Sequence, residues 1–220
     1  MTSTLLDIYW RLLDRYGPQH WWPAETRLEM IVGAILTQSA AWVNVEKGIA
    51  NLRSRGLLSA ATLREVPTEE LARLIHPSGY YNAKARKLKA FACWLGECYG
   101  DDLDRLFALD LPALRRELLS VYGVGQETAD SIALYAARKP IFVIDAYTRR
   151  IMARLGVAPA QNSYEACQAL FMERLPHDEG VFSEYHALLV CHGKTVCRKS
   201  PVCRDCCLVS ICAFPRLQNG

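Results

Sequence analysis

The chain has 220 residues, 51% of them hydrophobic and 22% charged, with a formal net charge of +3, enough to bury a sizeable core as one large domain or two small lobes. Its apolar runs, Ile31 to Leu36 and Ile141 to Ile144 among the longest, fall far short of the roughly 20 residues that cross a bilayer, and Asp7, Arg11 and Asp14 interrupt the early hydrophobics, so neither a membrane span nor a secretory leader is expected and the cytoplasm is the expected compartment. A charge this close to balance permits a polyanionic partner without requiring one.

Leu5, Tyr9, Leu12, Leu13 and Tyr16 share one face of a first predicted helix, which Gly17-Pro18 stops. Trp21-Trp22-Pro23 precedes a predicted helix over 24–38 that ends on Leu36-Thr37-Gln38, and Trp42 follows shortly after. Helical spacing then continues almost throughout. Ser3, Ser59, Thr68, Asp110 and Ser163 each stand before an amphipathic run as candidate caps, while Gly56, Gly79, Gly100, Gly156 and Gly193 fall at expected stops or turns. Lys84, Arg86, Lys87 and Lys89 crowd behind Gly79-Tyr80-Tyr81-Asn82, Arg149 and Arg150 follow Asp145, and Lys194, Arg198 and Lys199 flank C-terminal cysteines. Each basic cluster reads either as a solvated helix face or as part of an electrostatic footprint. Strand-like alternation is nearly absent, and Ile141-Phe-Val-Ile144 is too isolated to build a sheet, so the expected fold is all-α with about ten helices.

Gly123-Val124-Gly125 separates a helix ending near Leu119 from another beginning near Gln126, with Ala129 to Ala137 expected as helix, a loop at Lys139-Pro140, and Asp145 after the apolar run. The glycines allow backbone angles that side chains block and let the chain approach a partner closely. Amides opening the second helix then suit an anion. Val124 is expected to pack inward and lock the turn. An ordinary helical hairpin with a Gly-rich corner has the same pattern. Asp145 stands where a helix cap belongs.

Nine cysteines in a cytoplasmic chain are not expected to form disulfides. Six lie after residue 190, four of them as Cys197-x5-Cys203-x2-Cys206-x5-Cys212, with Cys191 and Cys207 as extras. The segment 197–212 is poor in apolar bulk and is expected to need a bound metal centre. Four thiolates suit tetrahedral zinc or an iron-sulfur cluster, and spacing alone does not choose.

Several of these features occur together and in order: Leu36-Thr37-Gln38, Pro77-Ser-Gly-Tyr-Tyr-Asn82 with trailing Lys84 and Lys87, the Gly123-Val124-Gly125 hairpin, Asp145, and His192-Gly-Lys-Thr-Val-Cys197. The chain thereby resembles the helix-hairpin-helix glycosylases of DNA base excision repair, in their endonuclease III branch, from about Trp21 to Cys212. Trp-Trp-Pro, an aromatic at Trp42 and Gln126-Glu-Thr-Ala-Asp-Ser131 make it similar to the 3-methyladenine glycosylase group of that branch. The resemblance implies that Asp145 stabilises positive charge developing on deoxyribose and orients the attacking water. It implies hairpin contact between Gly123, Val124, Gly125 and a DNA phosphate, a base pocket walled by Trp22, Pro23 and Trp42, and Gln38 as the wedge that fills the gap behind a flipped base. Gln38 also reads as an ordinary satisfied amide. Cationic alkylated purines suit aromatic walls.

Bifunctional members carry a lysine nucleophile two residues after the second hairpin glycine, where this chain has Glu127. A carboxylate cannot form an imine, so the expected product is an intact abasic site. Glu127 itself reads as a solvent-facing first-turn residue or as a second catalytic carboxylate. The four cysteines resemble the branch's [4Fe-4S] loop, with a first gap one residue shorter than the usual six; the resemblance favours iron over zinc and a loop that folds basic residues toward DNA. Methyladenine-type relatives do not all keep this cluster, which pulls the reading back toward the broader branch.

The expected architecture is two helical lobes with a DNA-binding cleft between them: a six-helix barrel over 25–138 containing the hairpin, and a second lobe joining 1–24 to 139–220 and carrying the cluster. The expected partner is double-stranded DNA bearing a damaged base, with no membrane involvement; the chain is expected to be a monomer, nucleoid-associated in a prokaryote. A monofunctional alkylpurine glycosylase is the expected activity. The alternatives are a uracil, thymine-mismatch or oxidised-base glycosylase and, in another class, a noncatalytic DNA-structure binder.

Overall fold

The structure, a computed structural model, describes residues 4–214. Twelve α-helices and no β-strand occur among them, and none of these helices is long and apolar enough to cross a membrane. The chain divides into two compact units, Trp22–Lys139 and one assembled from both ends, Met1–Trp21 with Pro140–Gly220. The first helix, α1 (Leu5–Tyr16), is capped by the Thr4 hydroxyl, which accepts from the Asp7 amide; Ser3, expected in this role, lies outside the described residues.

The unit over 22–139 is built around α2 (Arg27–Leu36), whose residues from Glu29 to Leu36 are all buried. A helix apolar on every side belongs at the centre of its neighbours, and α3 (Trp42–Ser54), α6 (Tyr81–Tyr99) and α9 (Gln126–Ser131) all pack against it. The exception to its apolarity, Glu29, is 3% exposed and answered by Arg53 at 2.7 Å. Further helices complete this unit. Ser59 closes a capping box on α4 (Ala60–Glu65), and Asp102 and Asp110 cap α7 (Leu103–Phe107) and α8 (Leu111–Ser120).

Two expectations fail here for local reasons. Thr68 is the first residue of α5 (Thr68–Leu74), not its cap: Pro67 occupies the cap position and makes no side-chain hydrogen bond, its ring presetting the angle at which the chain enters. The helix expected over Ala129 to Ala137 is α only to Ser131 and then widens into a π turn, Ile132–Ala136. All five π residues are buried, and the turn packs on α2. Such bulges shift side chains that regular spacing would place elsewhere.

In the unit built from both chain ends, α1 and α10 (Ala146–Leu155) both pack on α12 (Glu179–Thr195), with α11 (Tyr164–Met172) capped by Ser163. Its core is aromatic. Phe142 stacks on Phe171 with ring centres 3.8 Å apart, both meet Tyr185 edge to face, and the Tyr185 hydroxyl donates to the Leu5 carbonyl at 2.9 Å. Ile141 to Ile144 is a buried run outside any helix that joins no sheet among the described residues. Gly193 is a further correction. It stops nothing and lies inside α12, where a Cβ would stand 2.5 Å from Cδ1 and 2.8 Å from Cβ of Tyr147; the missing side chain is what lets the Tyr147 ring, and so α10, come this close.

Candidate active site and cysteine loop

Asp145 is the N-cap of α10. Its Oδ1 accepts the Thr148 amide at 2.7 Å, satisfying one of the helix's unpaired donors. The residue is buried, at 9% exposure. Its second oxygen, Oδ2, faces Nε2 of His186 on α12 at 3.7 Å. Burial pushes the His186 imidazole below its ordinary range; the Asp145 charge opposes this and Lys194 adds to it. The Thr148 hydroxyl is also buried and finds no hydrogen-bond partner among the described residues. A carboxylate held through its backbone cap beside a neutral imidazole can present fixed negative charge to a developing cation.

In the other unit the hairpin is tied down by Gln38, in the turn that follows α2, and by Lys87 on α6. Gly123 has φ +83°, a left-handed angle that favours glycine, and a Cβ there would collide with the Lys87 stem. Gln38 donates to the Gly123 carbonyl and the Thr128 hydroxyl, each at 3.0 Å, while its own carbonyl accepts from Lys87 Nζ at 2.5 Å. Its amide is therefore engaged within the protein. Val124 is buried, as expected, and Gly125 is exposed at the N-cap of α9. Behind the hairpin the fully buried Asp130 pairs with Arg115 at 2.7 Å. Glu127 is exposed in the first turn of α9.

Lys84, one of the expected basic cluster, points inward. Only 2% exposed, its ammonium donates to the carbonyls of Leu36 at 2.8 Å and Ser78 at 2.6 Å. Burial, with Lys87 adding, lowers its pKa to about 8.

Trp22 and Trp42 meet, but not as parallel walls. Their rings stand edge to face, centres 5.2 Å apart at 89°, and Trp22 also contacts Tyr135 of the π turn at 5.3 Å. Gly33 clears the floor for Trp22, since a Cβ there would lie 3.2 Å from its Nε1. Pro23, next to Trp22 in sequence, is exposed. A base between parallel rings needs one tryptophan to turn. Tyr135 and His186 were not found from the sequence: each sits in an apolar helical run where core packing is the ordinary explanation.

After α12 the chain makes the cysteine loop, with short 3-10 turns at Cys203–Asp205 and Val209–Ile211 and, among the described residues from Arg198 onward, only Leu208 buried. Its thiols sense one another: burial pushes Cys206 up to about 11, with Cys207, Cys197 and Cys212 adding, and Cys212 is raised by burial and by Cys197 and Cys203. Among the described residues no group of three His, Cys, Asp or Glu side chains is arranged to hold a metal ion. The surroundings nonetheless suit sulfur ligands. Arg154 donates to Cys197 Sγ at 3.2 Å and to the carbonyls of Arg198 and Lys199, and His192 lies with Nε2 3.5 Å from Cys206 Sγ and Nδ1 2.8 Å from the Tyr16 hydroxyl. Donors of this kind orient and stabilise metal-bound thiolates.

Comparison with known proteins agrees with this arrangement. A protein named "putative DNA repair glycosylase" from Methanocaldococcus jannaschii is 47% identical over 209 residues, spanning 94% of this chain and 95% of its own. The fold matches that of an endonuclease III in a noncovalent DNA complex, with TM-score 0.85 at 23% identity over 100% of this chain and 99% of that one. It also matches H. pylori 3-methyladenine DNA glycosylase bound to 1,N6-ethenoadenine, with TM-score 0.77 at 24% identity over 87% of this chain and 98% of that one. Residues 32–177, which hold the Gly123–Gly125 hairpin and Asp145, match one family model over most of the chain, and the chain belongs to that family: the HhH-GPD superfamily of base excision DNA repair proteins.

Proposed function

We propose that this member of the superfamily is a monofunctional DNA glycosylase that hydrolyses the N-glycosidic bond of alkylated purines of the 3-methyladenine type in double-stranded DNA. The observation that carries the reading is the buried Asp145 carboxylate, fixed by its cap bond to Thr148, in a chain that has the exposed Glu127 at the lysine position. The C1′–N bond breaks with both electrons leaving on the base, which departs neutral when alkylation has made it cationic. Asp145 stabilises the sugar cation left behind. Water adds at C1′, its proton passes to the carboxylate or to solvent, and an abasic site remains. No amine attacks C1′, so the strand stays intact. The hairpin at Gly123, Val124 and Gly125 offers its backbone to a phosphate, and Trp22, Trp42 and Tyr135 supply aromatic surface for the extruded base.

Cys197, Cys203, Cys206 and Cys212 would hold a [4Fe-4S] cluster, with zinc as the alternative metal. The bound group supplies cross-linking of a loop with little apolar core. Arg154, through its bonds to Cys197, Arg198 and Lys199, shapes the basic end of that loop.

A second reading, a uracil or thymine-mismatch glycosylase, draws on the edge-to-face Trp22–Trp42 pair, which leaves no parallel slot for a purine. One panel separates them: duplexes carrying a methylated purine, uracil, thymine opposite guanine or an oxidised pyrimidine, each incubated with and without alkali. Alkali-dependent breakage at the methylated purine supports the proposal; breakage without alkali refutes monofunctionality, and excision confined to pyrimidines refutes the substrate. Asp145→Asn should lower excision by about 10²–10³-fold while keeping DNA affinity and, because Asn also caps, stability. Affinity without any excision would identify a noncatalytic binder.

A further inference from the structure

The Asp145 carboxylate has two oxygens, and the helix cap accounts for one. Oδ1 takes the Thr148 amide; Oδ2 is turned toward α12, where His186, 5% exposed, presents Nε2 at 3.7 Å. We propose that His186 is a positioning residue for Asp145, its imidazole N–H holding the second oxygen so that the carboxylate keeps one orientation through the glycosidic cleavage. This rests on the glycosylase reading above.

Three observations support it. The pair is enclosed, since both residues and Thr148 are buried, and an isolated rotating carboxylate in such surroundings is costly unless its oxygens are answered. The gap is a little more than a hydrogen bond: an N–H···O contact spans roughly 2.7–3.2 Å, so about half an ångström of closure makes one. The second buried polar group beside Asp145, the Thr148 hydroxyl, lacks a partner among the described residues, which marks this as a polar pocket in an otherwise apolar helix interface and not as core that happens to contain a histidine. Burial keeps the imidazole neutral, with Asp145 and Lys194 among the charges acting on it. Neutrality matters here. A neutral N–H orients the carboxylate and leaves its charge free to face the sugar, whereas an imidazolium would cancel that charge.

Why these two helices meet at this separation follows from their packing. The Tyr147 ring, two residues beyond Asp145, lies over Gly193, and Arg150 stacks on the same ring at 5.1 Å while bonding the Gly193 and Cys197 carbonyls. The cap of α10 is thus held in register against α12, one turn after another, and His186 is the α12 side chain that faces it.

The test uses the full chain and the duplex it excises best. Single-turnover excision and DNA affinity are measured for wild type, His186→Leu and His186→Gln, with thermal melts to confirm folding. Loss of about 10- to 100-fold in rate for His186→Leu, affinity within twofold of wild type, and recovery of most of the rate by His186→Gln, whose amide restores an N–H, are expected. A His186→Leu protein that folds and excises at the wild-type rate overturns the role, as does loss of affinity in step with rate. In parallel, the His186 ring is titrated by NMR in wild type and Asp145→Asn. Its pKa should fall further once the facing charge is gone; an unchanged titration overturns the contact. A wild type that excises no base refutes the glycosylase reading, and the titration still decides whether the two groups face each other.

Discussion

Replacing Gly193 by alanine sets two opposed effects against each other. Within α12 the change should help, because alanine favours an interior helical position over glycine by about 1 kcal/mol. Against this, the new Cβ would stand 2.5 Å from Tyr147 Cδ1 and 2.8 Å from Tyr147 Cβ. Carbon contacts settle near 3.5 Å or more, so about 1 Å of separation must be found. The ring cannot supply it by swinging away, since its own Cβ is one of the clashing atoms; α10 must move. Overpacking of this kind costs about 1–3 kcal/mol, leaving a net loss of up to about 2 kcal/mol, or several degrees in Tm for a chain of this size. Urea unfolding of wild type and variant measures the first quantity. Single-turnover excision measures the second, which should fall by about tenfold or more because the Asp145–His186 separation widens with the helices. Adding Tyr147→Gly, which takes away the Cβ as well as the ring, should remove the clash, so that Gly193→Ala no longer destabilises in that background. A Gly193→Ala protein that is more stable by about 1 kcal/mol, with unchanged excision, would refute the close-packing argument.

Arg115→Met removes the ion pair that Arg115 makes with the fully buried Asp130 carboxylate and should cost about 3–5 kcal/mol by denaturant unfolding. Lys84 should make stability depend on pH: its pKa is lowered from 10.5 to about 8 in the fold, so between those values the unfolded chain holds more protons and stability should rise with pH. Denaturation midpoints across this window, compared with Lys84→Met, isolate the effect; the variant should lose the rise and, by orphaning the Leu36 and Ser78 carbonyls, be less stable throughout. Cys206→Ala should abolish iron content and the broad absorbance near 400 nm, roughly where iron-sulfur thiolates absorb, and expose the segment 197–212 to limited proteolysis; retained stoichiometric iron would exclude Cys206 as a ligand.

Local rules made much of this chain legible. Ser59, Asp110, Asp145 and Ser163 cap the helices that their sequence positions announced, because a short polar side chain before an apolar stripe has one good use. The glycine hairpin was legible for the same reason, with Gly123 needing a left-handed angle and Val124 a buried one. What escaped depends on partners far away in sequence. Gly193 looked like a helix stop because nothing nearby says that Tyr147 lies over it. The π turn follows from packing of Ile132–Ala136 on α2, which helical periodicity does not encode. Lys84 was read as a surface charge since lysines usually are; its burial is set by two carbonyls, 48 and 6 residues away. His186 faces Asp145 across 41 positions, as the numbering shows, and an imidazole amid Tyr185, Ala187 and Leu188 advertises only a core.

The unit assembled from both chain ends carries a consequence for biosynthesis. The carbonyl of Leu5 waits for the hydroxyl of Tyr185, 180 residues later, which at roughly 5–20 residues per second means about ten seconds to half a minute of translation. Once residue 139 has been made, residues 22–139 have their internal partners, while the apolar face of α1, with Leu5, Ile8 and Leu12, still waits for α12, the helix it packs on. Chains that terminate early would therefore carry a sticky first helix attached to a self-sufficient central unit, and the late-made end of the protein acts as the chaperone of its beginning.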